Sequence, residues 1–140
     1  MFVRFALLGD AAVNTGGKWN LLGNFNLVRA KQFPATWPRM GLLLRIEGDH
    51  REIGEHVLQL DFVDDTGVRL AGPGPMPFEF KKPRLPGFPV EFVIGLEIHG
   101  LTIPAPGNYD FTIRVDGTYL DSLPLYVRDA KNRRIQTEID

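Results

Sequence analysis

Residues 107–127 read GNYDFTIRVDGTYLDSLPLYV, and the reading of this stretch decides the fold class. Tyr109, Phe111, Ile113 and Val115 alternate with Asp110, Thr112, Arg114 and Asp116. A period of two puts every apolar side chain on one face of an extended strand. Asp116-Gly117 follows, two residues that tolerate positive φ, and alternation resumes in Leu123, Leu125 and Val127. The pattern predicts a β-hairpin with a two-residue type I′ turn, in which Asp116 and Gly117 are structural. Direct pairing across that turn would set Ile113 opposite Leu120, out of phase with the later apolar residues. A β-bulge is therefore predicted near Asp121-Ser122.

The same period recurs upstream. Lys18–Val28 places Trp19, Leu21, Phe25 and Leu27 on one face, with Asn20, Asn24 and Asn26 opposite. His56, Leu58, Leu60 and Phe62 alternate with Gln59 and Asp61 in 55–63, and Phe92, Ile94, Leu96 and Ile98 alternate with Glu91, Glu97 and His99 in 90–99. Shorter strands are predicted at 2–9, 40–47, 68–71 and 118–127. Gly and Pro, 15 and 11 of the 140 residues, fall between the apolar runs as turn formers do. Residues 72–89 hold six prolines, which suits a loop or a broken edge strand because proline cannot donate to a ladder.

These strands, one face apolar and one polar, predict an all-β domain: a two-sheet antiparallel β-sandwich of immunoglobulin-like Greek-key topology. In Pro106-Gly107-Asn108-Tyr109, the tyrosine stands where such sandwiches carry a tyrosine corner, so Tyr109 is read as structural. In this scheme 40–47 is strand B, 55–63 C, 90–99 E, 108–116 F and 118–127 G, with the opening strands as A. The predicted core gathers Leu58, Leu60, Phe92, Ile94, Leu96, Phe111 and Ile113. The domain is expected to span 1–127, leaving 128–140 as a polar, mobile tail.

Two groups of residues carry a family resemblance. Leu7-Leu8-Gly9-Asp10-Ala11-Ala12 with Gly17-Lys18-Trp19-Asn20-Leu21-Leu22-Gly23-Asn24-Phe25 forms one, and Pro106-Gly107-Asn108-Tyr109 with Asp116-Gly117 through Leu123-Pro124-Leu125-Tyr126-Val127 the other. Over 1–127 the chain resembles an uncharacterised family of small bacterial all-β proteins with no established activity. The resemblance implies the fold and transfers no site.

Composition narrows the chemistry. The chain has no cysteine, which removes disulfides, thiolate metal sites and thiol nucleophiles. Net charge is −1 with both signs interspersed, without the basic stripe of a nucleic-acid binder, so no nucleic-acid partner is expected. No stretch approaches the roughly 20 apolar residues of a membrane span, so no membrane partner is expected and the cytoplasm is the expected location.

Among the residues, Ser122 is the sole serine and lies outside any nucleophile-elbow pattern. His50, His56 and His99 lack zinc-ligand spacing. Glu47, Asp49, His50, Glu52 and Glu55 beside Asp116 are the one acidic cluster, read as a solvated loop and not a metal site. No catalytic residue, metal or cofactor is expected.

The function expected is that of a non-enzymatic interaction module, binding a protein or itself. The interface is expected on the outer face of the A–B–E sheet, formed by Phe2, Leu8, Leu22, Leu43 and Val93, with a homodimer as the simplest case. Val28 is assigned to the same outward register. Trp37, in Phe33-Pro34-Ala35-Thr36-Trp37-Pro38, reads as a loop plug over the core or as an exposed partner anchor. The alternative function is a small-molecule or carbohydrate binder using Trp37 and the 72–89 loop.

Overall fold

The computed structural model describes residues 1–130. These form eleven strands: β1 (Phe2–Gly9), β2 (Ala11–Thr15), β3 (Lys18–Leu22), β4 (Leu27–Ala30), β5 (Ala35–Gly48), β6 (Gly54–Val63), β7 (Arg69–Ala71), β8 (Met76–Phe80), β9 (Val90–Ile103), β10 (Gly107–Val115) and β11 (Thr118–Asp129). One 3-10 turn, His50–Glu52, interrupts them. The protein is all-β. None of the described residues forms a helix long and apolar enough to cross a membrane.

A three-stranded antiparallel sheet runs in the order β1–β5–β9. A larger sheet runs β4–β11–β10–β6–β7, with β8 also paired to β6, and β2–β3 is a separate hairpin. Every pairing is antiparallel except β4 against β11. One apolar cluster joins the two larger sheets: Met40, Leu42, Leu44 and Ile46 of β5 share it with Leu58, Leu60 and Phe62 of β6 and with Phe111 and Ile113 of β10. The alternation supplies it, since each strand commits every second side chain to the interior.

The hairpin that opened the sequence reading closes through Asp116 (φ 52°) and Gly117 (φ 81°), with Val115 facing Thr118. Ile113 pairs with Asp121 and Arg114 with Tyr119, so Leu120 is the extra residue, one place before the predicted bulge. The Tyr109 hydroxyl donates to the Ala105 carbonyl at 2.5 Å.

Several expectations are corrected. Lys18–Val28 is two strands, not one. The chain breaks at Gly23 (φ 65°), where a Cβ would lie 2.2 Å from the Asp10 carboxylate. Asn24 Nδ2 and Phe25 N both donate to the Leu8 carbonyl, carrying the chain across to the larger sheet. Val28 consequently lies in β4, buried, beside Val127. Trp19 does not enter the core between the sheets. It lies on the outer side of the small sheet, so close to Gly95 that a Cβ there would stand 2.4 Å from its ring.

The β2–β3 hairpin is thereby laid across the small sheet. A Cβ on Gly41 would meet the Ala12 nitrogen at 2.4 Å, and one on Gly9 the Leu22 carbonyl at 2.5 Å. Three glycines, one from each strand, make the seat. At the C-terminus β11 continues to Asp129, with Arg128 and Asp129 paired to Arg29 and Ala30, so the domain runs past 127. The rest of the expected tail lies outside the described residues.

Candidate functional site

The two larger sheets leave an opening along one side. β9 is an edge of the small sheet, and β7 and β8 form the corresponding edge of the large one. Between them lies a slot of about 450 Å³, floored by Leu60 and Phe111 and walled by Leu70, Ala71 and Met76 on one side and Leu96, Ile98 and Leu101 on the other. Polar groups at its rim come from Glu97, His99 and Thr102. The lining is apolar because it is the unfinished margin of the core. The long edge of β9 away from β5 has no partner strand among the described residues.

The residues expected to form an interface are scattered. Leu8 points inward and is 1% exposed, paired with Leu42. The cause is a register shift between Val3 and Phe5, which reverses the alternation counted from Phe2. Leu43 does face outward, across from Gly95 on the face the hairpin covers, and is buried. Phe2 and Leu22 are exposed and Val93 is half-buried. Leu22 belongs to the covering hairpin, not to the sheet beneath.

Charge fills the remaining outer face. Glu47 is buried and accepts from Arg4 at 2.8 and 2.9 Å and from Arg45 at 3.0 Å, while Arg45 also pairs with Glu91. The Arg4 guanidinium, ahead of the opposing cost of burial, holds the Glu47 carboxyl below the usual carboxylate range.

Trp37 lies in a strand and not in a loop, and packs against the core cluster. It sits within β5 opposite Leu101, half-buried, at one wall of a shallow cleft of about 350 Å³ that also contains Asp10, Asn24, Phe25 and Arg29. The 81–89 segment lines a different cleft with Arg45 and Glu91. Positions 37 and 45 of one strand are about 26 Å apart at the usual rise, so Trp37 and that part of the proline-rich loop do not form one platform.

The acidic cluster is likewise divided. Asp49 caps the 3-10 turn and pairs with Arg51, and Glu52 pairs with the Met1 amino group at 2.9 Å. Asp116 does reach this end of the molecule, but it accepts from Val57 N at 2.9 Å and faces His56 Nδ1 at 2.6 Å. His56 Nε2 is 2.6 Å from the Glu52 carbonyl. An acceptor faces each ring nitrogen, an arrangement that favours the protonated ring, in which both nitrogens donate. Burial against Phe78 and Phe80 pulls the His56 pKa down, but the Asp116 carboxylate and the Glu52 carbonyl outweigh it and raise it. The hydrogen bond from His56 lowers that of Asp116.

The sequence reading missed the His56–Asp116 pair because the two lie sixty positions apart. The available signal was His56 at the start of an inward register, where a polar group needs a partner. The slot was missed as well. Its signal is that no apolar strand remained to cover β9.

Fold and site together describe an all-β domain with one open, apolar margin. The chain belongs to a family of unknown function (DUF6941), whose model matches residues 4–128. No curated protein matches it. Among solved structures it is similar to the Pseudomonas fluorescens alkylpurine DNA glycosylase AlkC bound to DNA containing an abasic site analog. That likeness has 18% identity and a TM-score of 0.43, and covers 74% of this chain and 28% of that one.

Proposed function

We propose that this domain is a non-enzymatic, immunoglobulin-like β-sandwich module that binds a protein, taking an extended segment of it alongside β9. The sandwich reading draws support from the strand orders. β1–β5–β9 and β11–β10–β6 correspond to A–B–E and G–F–C, and the Tyr109–Ala105 hydrogen bond sits at the E–F corner. The non-enzymatic reading draws support from His56, whose two nitrogens are already engaged.

The observation that carries the binding mode is the slot itself. An unpaired strand edge supplies main-chain hydrogen bonds, and an adjacent apolar groove receives alternate side chains of an added strand. Selection of a displayed library of extended peptides on the full chain tests it. Selected peptides should slow amide exchange in β9, and Ile98→Lys should weaken them at least about tenfold, as loss of one buried apolar contact implies. Protection elsewhere, or binding indifferent to Ile98→Lys, overturns the proposal.

A second reading keeps Trp37 without the proline-rich loop. Phe25 shares its cleft with Asp10, Asn24 and Arg29, which suits a small polar ligand stacked on an aromatic ring.

A further inference from the structure

At the opposite end of β9 from the slot, the chain between β8 and β9 forms a tip of unusual composition. Its base is anchored in the core by Phe80 and Val90, 0% and 1% exposed. Between these anchors stand Lys81, Lys82 and Arg84, and none of the three makes a hydrogen bond or ion pair within the described residues. Leu85 and Phe88 are 55% and 56% exposed, held on a turn in which Phe88 N donates to the Leu85 carbonyl. Both large apolar side chains are therefore in water beside three unneutralised cations.

The neighbouring carboxylates do not answer this charge. Glu91 and Glu47 are taken by Arg45 and Arg4, Asp49 by Arg51, and Glu52 by the Met1 amino group. Glu79 and Glu55 are register partners on β8 and β6, and neither pairs with a cation of the tip. The exposed tip keeps a local charge of +3, although the whole chain carries −1.

We infer that the 81–89 tip docks on an anionic lipid bilayer, its cations on the headgroups and Leu85 and Phe88 in the interfacial region. Charge complementarity selects the surface, and the apolar pair selects a bilayer over a soluble polyanion, since an aliphatic side chain gains nothing from phosphate alone. The absence of a membrane-spanning stretch does not bear on a contact of this kind. Leu85, Pro86, Gly87 and Phe88 are adjacent in sequence, and their exposure where the chain crosses from β8 in one sheet to β9 in the other makes them a surface.

Sedimentation of the full chain with phosphatidylserine–phosphatidylcholine vesicles, against pure phosphatidylcholine vesicles, is the test. Binding is expected to the anionic vesicles only. The triple change Lys81→Gln, Lys82→Gln, Arg84→Gln should weaken it about a hundredfold, at roughly fivefold per cation. Leu85→Ser with Phe88→Ser should also abolish sedimentation while leaving the melting temperature unchanged, because neither side chain belongs to the core. A Phe88→Trp variant should shift its emission to the blue on anionic vesicles. No binding to anionic vesicles overturns the inference. So does binding that survives the serine pair, or equal displacement by an oligonucleotide, either of which would make the tip a general anion site. Failure here leaves the β9 slot untouched, because its residues Leu96–Thr102 lie at the other end of the strand.

Discussion

β5 and β9 are each fourteen residues long and pair along their whole length, yet they live in different environments. Ile46, Leu44, Leu42 and Met40 of β5 are all 0% exposed, whereas their register partners Phe92, Ile94, Leu96 and Ile98 are only partly buried. Both rows face the same interior with side chains of similar size. The hairpin lies over the back of both, but β5 has a strand on either side, while β9 has β5 on one side only. Burial in a sheet is thus set by a strand's neighbours as much as by its own residues.

The largest effect expected from this contrast is on stability. Leu44→Ala removes a fully buried side chain and should cost about 3–5 kcal/mol, whereas Ile94→Ala, its cross-strand partner, should cost about 1–2 kcal/mol because part of its surface is already in water. Urea unfolding of the two variants measures both. Equal losses would mean that β9 is as enclosed as β5 at this position.

A smaller effect is expected on the covered side. Gly95→Ala forces a methyl group against the Trp19 ring and should cost about 1–3 kcal/mol as an overpacking change. The same substitution in a Trp19→Ala background should cost less, with only the Ala12 methyl at 3.0 Å still to give, and a double-mutant cycle separates the two. An additive result would show that the hairpin does not rest on β9.

The smallest effect concerns the end of the domain where His56 meets Asp116. The folded pKa of His56 is raised above its ordinary 6.5, so its contribution is complete below that value and is lost as pH rises through the folded pKa. The folded pKa of Asp116 is lowered from 3.8, so its contribution is present above that value and is lost as pH falls through the folded pKa. The pair therefore stabilises most between about pH 4 and 6.5. The melting temperature should fall by a few degrees from pH 6 to 8, in line with loss of one charge-assisted bond, and Asp116→Asn should flatten that slope. An identical slope in the variant would remove the pair as its cause.

Much of the fold was legible because period-two alternation is local. β6, β9, β10 and the β10–β11 turn can each be read within ten or so residues. Of the expected core residues, Leu58, Leu60, Phe111 and Ile113 share one buried cluster, and Phe92, Ile94 and Leu96 pack against it only partly buried. Errors arose where one irregular residue reverses a count. The shift at Arg4 turned Leu8 inward, and the break at Gly23 divided one apparent strand and sent its two halves to different sheets. Trp19 kept its apolar role but on the outer side of a sheet, in a seat made by glycines whose spacing of 9, 41 and 95 carries no local signal.

By itself the sequence determined the all-β class, the strands with strong alternation and the turn at Asp116-Gly117. Each follows from sterics and burial acting between residues a few places apart. Only the tertiary structure decided which strands became edges, that a hairpin covers the outer face around Leu43, and that His56 finds Asp116. It also decided that β9 borders an open slot at one end and a basic, apolar tip at the other. Those outcomes depend on which surfaces remain after every strand has chosen its neighbours, and that choice is made between residues far apart in the chain.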